Sequence, residues 1–203
     1  MQSDPASSLL QTEVLGALSV EHGFHHWAAV AKWYRSWCLL ALGRLEEGLA
    51  LQTEAKSAFR TTTGALIGRP SGLTLLAEAL GKTGQPMEGL KQLDRAPRKI
   101  EATEERWAET KLHCVRGELH IALDDLETAE ASFLQAIGIA RQQNAKLWEL
   151  LAAMSLARLW RDQRKRTEAR DLLAPIHGWF TEGFESPVLK KANNKSLLDE
   201  LAL

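Results

Sequence analysis

His113, Cys114 and His120 are the residues of this chain whose types and spacing come closest to a metal site. Imidazole and thiolate groups are ligands that zinc and related ions prefer. The two histidines are seven residues apart, which places them roughly on one face of a helix. Packing of a half-buried His120 ring between helices is the competing interpretation. We expect packing, and no metal site is predicted.

Gly81-Lys82-Thr83 resembles the end of a phosphate-binding loop, in which backbone N–H groups and a lysine hold nucleotide phosphates. The complete motif needs a glycine five residues before Gly81, and Leu76 stands there. The motif also follows a β-strand, whereas this segment lies between two helical patterns. A solvated turn is therefore predicted, without a bound nucleotide or other cofactor.

Catalytic motifs are missing from the sequence. Serine, histidine and acidic residues are present, but neither a G-x-S-x-G nor an H-E-x-x-H segment occurs. Asp124, Asp125, Glu127 and Glu130 cluster where a turn meets a helix start, and there they favour the helix dipole. No catalytic residue is predicted, and this chain is not expected to be an enzyme.

The segment 158–170 is strongly basic. Six cations against Asp162 and Glu168 leave a local charge of +4, and the cations are Arg158, Arg161, Arg164, Lys165, Arg166 and Arg170. Such a surface could contact nucleic-acid phosphates or an acidic peptide. The same charges also suit a solvated turn after a helix C-terminus. We prefer the solvated turn, followed by an acidic protein partner.

Helices must position these residues, because apolar residues recur at i, i+3 and i+4 along the chain. One such run comprises Leu147, Leu150, Leu151, Met154, Leu156, Leu159 and Trp160. Helix formers dominate, and glycine or proline falls at regular breaks, at Gly43, Gly64, Gly68-Arg69-Pro70 and Gly84-Gln85-Pro86. The predicted fold class is all-α.

A pattern of six positions recurs at intervals of 40 to 41 residues. Its four registers are Ser36, Leu39, Gly43, Gly48, Gln52, Ala55; Ala77, Leu80, Gly84, Gly89, Leu93, Ala96; Gly117, His120, Asp124, Ala129, Phe133, Ala136; and Ala157, Trp160, Arg164, Ala169, Leu173, Ile176. The first and fourth positions are small and the second is large. Small residues let two helices approach closely, and larger ones fill the gaps between pairs. Such pairs must stack, because a single pair cannot bury its apolar face.

This spacing matches the tetratricopeptide pattern, whose Gly/Ala, Tyr, Ala, Phe and Ala positions fall on Gly117, His120, Ala129, Phe133 and Ala136. The usual period is roughly 34 residues, so the helices here should be longer. The departures are His120 for Tyr, Gln52 for Phe and Pro175 before the last small position. The predicted fold is a right-handed α-solenoid of tetratricopeptide-like helix pairs with a period of about 40 residues.

The predicted domain plan has three parts. Residues 1–6 are a disordered N-terminus, residues 7–186 form the helical repeats, and residues 187–203 form a C-terminal capping helix. The repeats begin with an incomplete one, a helix near 7–22, and continue with pairs at 25–43 with 45–62, 70–83 with 86–103, 106–123 with 125–143, and 147–163 with 166–180. Pro97 and Pro175 lie inside helical patterns and should kink or shorten their helices.

Longer segments resemble one bacterial family, and they read GELHIALDDLETAEASFLQAIGIAR, LAAMSLARLWRDQRKRTEARDLLAPIHGWFTEGFESPVLKKA and LLAEALGKTGQPMEGL. They are similar to the C-terminal tetratricopeptide region of large signalling proteins with a class III adenylate/guanylate cyclase domain and a signal-transduction ATPase domain. Related regions occur in ATPase-coupled transcriptional activators. Residues 178–184 are the most distinctive part, because repeat packing does not demand them. The resemblance, from about residue 7 onward, implies the sensor end of such a protein, without its cyclase or ATPase activity.

The tetratricopeptide register predicts that the first helix of each pair lines a concave groove. The predicted groove residues, from an aromatic end to a basic end, are Trp33, Trp37, Ser71, Thr74, Glu78, Lys111, Cys114, Glu118, Met154, Arg158 and Arg161. This surface suits an amphipathic peptide or helix, since large exposed aromatic residues often anchor interfaces. Burial of both indoles under the preceding helix is an equally favoured alternative.

These observations predict a non-catalytic protein–protein interaction or sensor module. Its partner is a protein or peptide, and an upstream domain of the same polypeptide is one candidate. The alternative is a nucleic-acid-associated or small-effector-binding helical repeat of an ATPase-coupled transcriptional regulator. A formal net charge of −1 disfavours nucleic acid.

Location and self-association complete the expectations. Two distant cysteines, Cys38 and Cys114, do not make a disulfide framework. Neither a signal peptide nor an apolar run of membrane-spanning length is present, so a cytoplasmic protein without membrane contact is predicted. The helix near 7–22 has an apolar face that predicts some homodimer formation, and its residues are Leu9, Leu10, Val14, Leu15 and Leu18.

Overall fold

The structure is a computed structural model that describes residues 5–62 and 69–183, together with Leu197 and Glu200. The helices follow in the order α1 (Pro5–Glu21), α2 (His25–Ala41), α3 (Leu45–Thr62), α4 (Arg69–Lys82), α5 (Pro86–Leu93), α6 (Ala96–Thr103), α7 (Glu109–Ala122), α8 (Leu126–Gln142), α9 (Lys146–Asp162) and α10 (Arg166–Gly178). A 3-10 turn, Arg106–Ala108, leads into α7. The described residues include no β-strand, so the predicted all-α class is confirmed for them.

The chain divides into two compact units, Ser3–Glu105 and Arg106–Leu203. In the first unit, α2 packs against α1, α3 and α4, and α4 packs against α5 and α6. In the second unit, α7 packs against α8, and α9 packs against α7, α8 and α10. The contacts of α2 with α4 and of α7 with α9 join the first helices of successive predicted pairs.

The six-position pattern coincides with buried surface. The first, fourth and fifth positions are buried in all four registers, and they are Ser36, Ala77, Gly117 and Ala157; Gly48, Gly89, Ala129 and Ala169; and Gln52, Leu93, Phe133 and Leu173. The sixth positions, Ala55, Ala96, Ala136 and Ile176, are buried as well. The size pattern of the sequence therefore marks the residues at which neighbouring helices pack.

Gly117 shows why the first position is small. A Cβ atom built on Gly117 would lie 2.5 Å from Cε1 of Phe133. A Cβ atom on Gly48, at the fourth position, would likewise lie 2.8 Å from the side chain of Leu40. Because real side-chain carbons do not approach so closely, even a methyl group there would push the two helices apart.

Left-handed residues end most of the helices at nearly regular intervals, and they are Gly23, Gly43, Gly84, Glu104, Asp124, Asn144 and Arg164. The last four of these are 20 residues apart. The residue after each third repeat position donates its N–H to the carbonyl of the second position, as in Arg44 to Leu39 at 2.9 Å and Lys165 to Trp160 at 2.8 Å. This is the Schellman end of a helix. Two such helix–turn units of 20 residues account for the 40-residue period.

Proline shapes two of the later helices. The predicted helix 86–103 is interrupted at Asp94 and Arg95, and Pro97 lies in the first turn of α6, where its missing N–H costs nothing. Pro175 lies inside α10, which ends at Gly178. Pro97 therefore divides its helix in two, and Pro175 is accommodated near the end of a short one.

The structure describes the two ends of the chain only in part. Helix α1 begins at Pro5, inside the segment that was predicted to be disordered, whereas residues 1–4 lie outside the described residues. The predicted capping helix, 187–203, also lies outside them except for two helical residues, Leu197 and Glu200. Leu197 is buried against the core of the second unit. In the described part of the chain, no helix has the length and hydropathy to cross a membrane.

Candidate functional site

The predicted groove residues differ widely in exposure. Four of them are buried, namely Trp33, Thr74, Cys114 and Met154. Five are half-buried, namely Trp37, Ser71, Glu78, Lys111 and Arg161, and two are exposed, namely Glu118 and Arg158. The buried side chains are not available to a partner, so a candidate site must be built from the remaining residues.

Glu118 and Arg158 line the same cleft in the second unit. The cleft has a volume of about 290 Å³ and lies between α7 and α9, with residues of α8 at its base. Its lining residues are Glu118, Ile121, Leu126, Phe133, Ser155, Arg158, Leu159, Asp162 and Gln163. Acidic and basic groups thus border an apolar base, an arrangement that suits an amphipathic segment.

Ion pairs distinguish the charged groups near this cleft. Arg161 binds Asp162 at 2.9 Å through Nε and Glu200 at 2.6 Å through Nη1. The carboxylates of Asp162 and Glu200 hold the pKa of Arg161 above its ordinary value. Arg158 is exposed and pairs with no other described residue. It is therefore the cation of the cleft that remains open to an acidic partner group.

Gln163 adds a polar feature at the end of α9. Its Oε1 atom is buried and accepts no hydrogen bond from the described residues. A buried acceptor without a donor is destabilising. A backbone N–H of a bound peptide is one group that could satisfy it.

A second site forms in the first unit, where α1, α2 and α4 border a solvent-open cavity of about 390 Å³. The lining residues are Pro5, Ser8, Gln11, Thr12 and Leu15 of α1, Tyr34, Trp37, Cys38 and Ala41 of α2, and Leu75 of α4. Trp37 is the one predicted groove residue among them.

The two tryptophans of the predicted aromatic end have different surroundings. Trp33 is buried, and a Cβ atom on Gly72 would lie 2.9 Å from its ring. Trp33 also makes an edge contact with Phe59, with ring centroids 6.2 Å apart. Trp37 is half-buried and borders the cavity. The alternative that both indoles are buried therefore holds for Trp33. Trp37 remains accessible on the side that faces the cavity.

Burial or a local hydrogen-bonding contact accounts for each of the candidate metal ligands His113, Cys114 and His120. Burial, helped by the charge of Arg116, lowers the pKa of His113 to about 4, so its imidazole is neutral. Burial raises the pKa of the Cys114 thiol to about 12. His120 instead faces Asp125, with Nδ1 and Oδ2 3.1 Å apart, and Asp125 caps α8 through Thr128. No group of three or more His, Cys, Asp or Glu side chains within the described ranges could hold a metal ion.

Gly81 and Lys82 are the last residues of α4, and Thr83 lies in the turn that follows. Lys82 Nζ donates to Glu78 Oε1 at 2.8 Å, and the Thr83 hydroxyl donates to the Ala79 carbonyl at 3.1 Å. These hydrogen bonds are local to one helix turn. The arrangement corresponds to the predicted turn between helices.

The basic segment 158–170 is partly neutralised. Arg161 is paired as described, and Lys165 Nζ lies 3.3 Å from Glu130 Oε2. The remaining cations are exposed and unpaired among the described residues, and they are Arg158, Arg164, Arg166 and Arg170.

Sequence reasoning missed several residues of the cleft. Ile121 lies on the chosen face of its predicted first helix, one turn beyond Glu118, and Ser155 directly follows Met154. Leu126 and Gln163 belong to the following turn and helix, which the groove rule did not include. Leu126 and Gln163 flank the turns at Asp124 and Arg164, so a predicted groove that included these turns would have contained both residues.

No family model matches the chain, and no curated protein matches it. The resemblance to the cyclase- and ATPase-linked proteins therefore stays a prediction.

Proposed function

We propose that this chain is a non-catalytic protein–protein interaction or sensor module that binds an amphipathic peptide segment in the cleft between α7 and α9. The observation that carries the proposal is the convergence of Glu118, Arg158 and an apolar base in one cleft. Ile121 is 40% exposed at its edge and offers an apolar anchor point. The partner segment carries an apolar side chain for the base and an acidic group for Arg158.

The wider architecture that we propose is a right-handed α-solenoid of tetratricopeptide-like pairs. Its support is the recurrence of the first, fourth, fifth and sixth positions as buried residues and of the Schellman turns. On the sequence resemblance, the chain is the C-terminal part of a cyclase- or ATPase-linked signalling regulator. Binding in the cleft would then shift the population of arrangements between the solenoid and an upstream domain.

The peptide-binding proposal is tested with a library of amphipathic peptides and fluorescence anisotropy. For any peptide that binds, Ile121→Ser and Arg158→Glu should each weaken affinity by about tenfold or more, equivalent to 1.4 kcal/mol. Leu134→Ser and Arg170→Glu are matched controls, because both side chains are exposed outside the cleft. Equal losses in the control and cleft variants would overturn the proposed site.

Membership of a larger regulator has its own test. An antibody against this chain should detect, in extracts of the source organism, a band several times larger than 22.6 kDa. A band at 22.6 kDa would instead identify a free-standing adaptor.

A nucleic-acid-associated repeat is the second candidate, favoured by the exposed and unpaired Arg158, Arg164, Arg166 and Arg170. It predicts a salt-dependent mobility shift that is lost in the double variant Arg158→Glu/Arg161→Glu. The ion pairs of Arg161 and Lys165 reduce the free charge of this surface, so an acidic protein partner is the better proposal.

Self-association through α1 is proposed as a secondary property. Leu10, Val14 and Leu18 are 65%, 53% and 48% exposed and lie four residues apart on one helix face. Leu9 and Leu15 are half-buried. Sedimentation at high concentration should reveal dimers that Val14→Glu abolishes, and a strictly monomeric mass would contradict this expectation.

A further inference from the structure

The cavity of the first unit has the size of a small-ligand site. Its volume of about 390 Å³ lies in the range of roughly 300–1000 Å³ that such pockets occupy. Three helices contribute its walls, so the cavity is not a gap within one helix pair. It involves none of the helices that form the peptide cleft.

The charge of the lining restricts the class of ligand. Among the described residues, none that lines the cavity is charged. A groove of about 360 Å³ beside the same α1–α2 pair is, in contrast, bordered by Glu13, Lys32 and Arg35. A charged ligand in the cavity would lose part of its hydration without gaining a counter-ion. The cavity therefore selects neutral molecules.

The two walls of the cavity differ in polarity. Helix α2 presents the aromatic rings of Tyr34 and Trp37, which pack edge to face with centroids 5.4 Å apart. Helix α1 presents Ser8, Gln11 and Thr12. The rings provide a surface for stacking, and Ser8 and Gln11 provide hydrogen-bonding groups, whereas the Thr12 hydroxyl donates to the Leu9 carbonyl at 2.7 Å.

Trp37 supplies a further constraint. Its Nε1 atom is buried and has no acceptor among the described residues. Buried indole N–H groups usually find a partner. A rotation of the ring toward the cavity would let a ligand oxygen accept this hydrogen bond.

We propose that the cavity between α1, α2 and α4 binds a neutral, mainly apolar small molecule that contains a ring and a hydrogen-bond acceptor such as a carbonyl oxygen. The proposal does not depend on peptide binding by the second unit. An effector of this class would give the chain a sensor function in addition to its protein contacts.

The test uses a fluorescent probe of this class, 7-diethylamino-4-methylcoumarin, which is neutral and has a ring carbonyl. The full chain should bind it saturably at one site, with increased probe fluorescence. The matched 3-carboxylate of 7-diethylaminocoumarin has the same ring system and a negative charge, and it should bind at least about tenfold more weakly. Equal binding of the two probes, or no binding of the neutral probe up to about 1 mM, would overturn the proposal.

Variants locate the probe in the cavity. Ala41→Leu fills space at the cavity wall and should abolish binding, whereas Trp37→Phe keeps a ring but removes the N–H and should weaken binding several-fold. Trp27→Phe is the control, because Trp27 is exposed and does not line the cavity. Unchanged affinity in a folded Ala41→Leu variant would place the probe elsewhere and refute the assignment.

A second measurement serves if Ala41→Leu fails to fold. Cys38 lines the cavity and Cys114 does not. Saturating neutral probe should slow the reaction of Cys38 with N-ethylmaleimide in the wild-type chain and leave that of Cys114 unchanged. An unchanged rate at Cys38 would contradict the proposal, and neither result depends on the Ile121 and Arg158 variants of the peptide cleft.

Discussion

Gly117 and Gly138 are both helical glycines, but their surroundings are opposite. A Cβ atom on Gly117 would lie 2.5 Å from the ring of Phe133, whereas a Cβ atom on Gly138 would meet nothing within 4 Å. Glycine lowers helix stability wherever it occurs. Gly117 is therefore required by packing, and Gly138 is not.

Substitution of the two glycines by alanine should change stability in opposite directions. We expect Gly117→Ala to lower the free energy of unfolding by about 2 kcal/mol, because overpacking outweighs the gain in helix propensity. Gly138→Ala should raise it by roughly 0.5–1 kcal/mol. Urea denaturation measures both. Adding Phe133→Leu to Gly117→Ala should recover part of the loss, and an additive double variant would count against direct contact.

Glu149 is a buried carboxylate between two cations. Its Oε1 accepts a hydrogen bond from Arg141 Nε at 2.7 Å, and its Oε2 accepts one from Lys146 Nζ at 2.8 Å. Burial raises the pKa of this carboxyl, but the hydrogen bonds and charges of Arg141 and Lys146 outweigh burial and leave the pKa below its ordinary value of 4.5. The ionised form is thus the stable one at neutral pH.

The pH dependence of stability follows from this lowered pKa. A carboxyl whose pKa is lower in the folded state stabilises the fold above its unfolded pKa and loses that contribution as pH falls. Glu149→Gln should lower the unfolding free energy at neutral pH by about 2 kcal/mol. The difference from wild type should shrink below pH 4.5. Glu101→Gln, at an exposed carboxylate, is the control, and equal stability of Glu149→Gln and wild type at neutral pH would refute the expectation.

At the scale of elements, the turns between helices share one backbone geometry. Gly43, Gly84, Asp124 and Arg164 occupy the same repeat position, with φ of 79°, 78°, 62° and 65°. Glycine adopts this conformation without steric cost, whereas a side chain makes it less favourable by roughly 1–2 kcal/mol. Arg164 is therefore a strained residue at a position where two other repeats have glycine.

Relief of this strain is a test of the turn assignment. Arg164→Gly should raise the free energy of unfolding by about 1 kcal/mol. Arg164→Ala removes the same charge but keeps a Cβ atom, so it should leave stability nearly unchanged. Thermal or urea unfolding of the two variants separates strain from charge, and an equal gain in both would show that charge is the cause.

At the scale of the whole molecule, the second unit has a core of its own. The buried cluster from Cys114 to Leu197 includes Phe133, Leu150 and Leu156 at its centre and belongs entirely to Arg106–Leu203. In stacked helical repeats, stability comes from each repeat and its nearest neighbours. The unit therefore satisfies the main requirement for folding alone.

The fragment 106–203 should fold when it is produced without the first unit. We expect a helical circular dichroism spectrum and a cooperative urea transition, because its buried cluster is complete within the fragment. A fragment of 106–162, which ends before α10, is the comparison and should be less stable, since α10 supplies Ala169, Leu173 and Ile176 to the core. A non-cooperative transition of the longer fragment would contradict the prediction.

The helical class and the repeat register could be predicted from sequence because both depend on local periodicity. Residue size at positions such as Gly117, Ala129 and Phe133 indicates which face of each helix packs against a neighbour, and this does not depend on the exact angle between the two helices. The interruption at Asp94 was less predictable. Pro97 indicated that the predicted helix is not regular throughout. Whether a proline kinks, shortens or divides a helix depends on the packing around it.

The candidate sites depended on tertiary structure. Cys114 and Met154 satisfy the groove pattern, but neighbouring helices cover them, whereas Ile121, which was not among the predicted groove residues, is exposed. Sequence by itself determined the helical class, the register of the buried positions and the small residues at the helix contacts, because these are properties of neighbouring residues in the chain. Only the tertiary structure decided which surfaces stay open, because exposure is set by the helices that pack over a face, and those come from distant parts of the sequence.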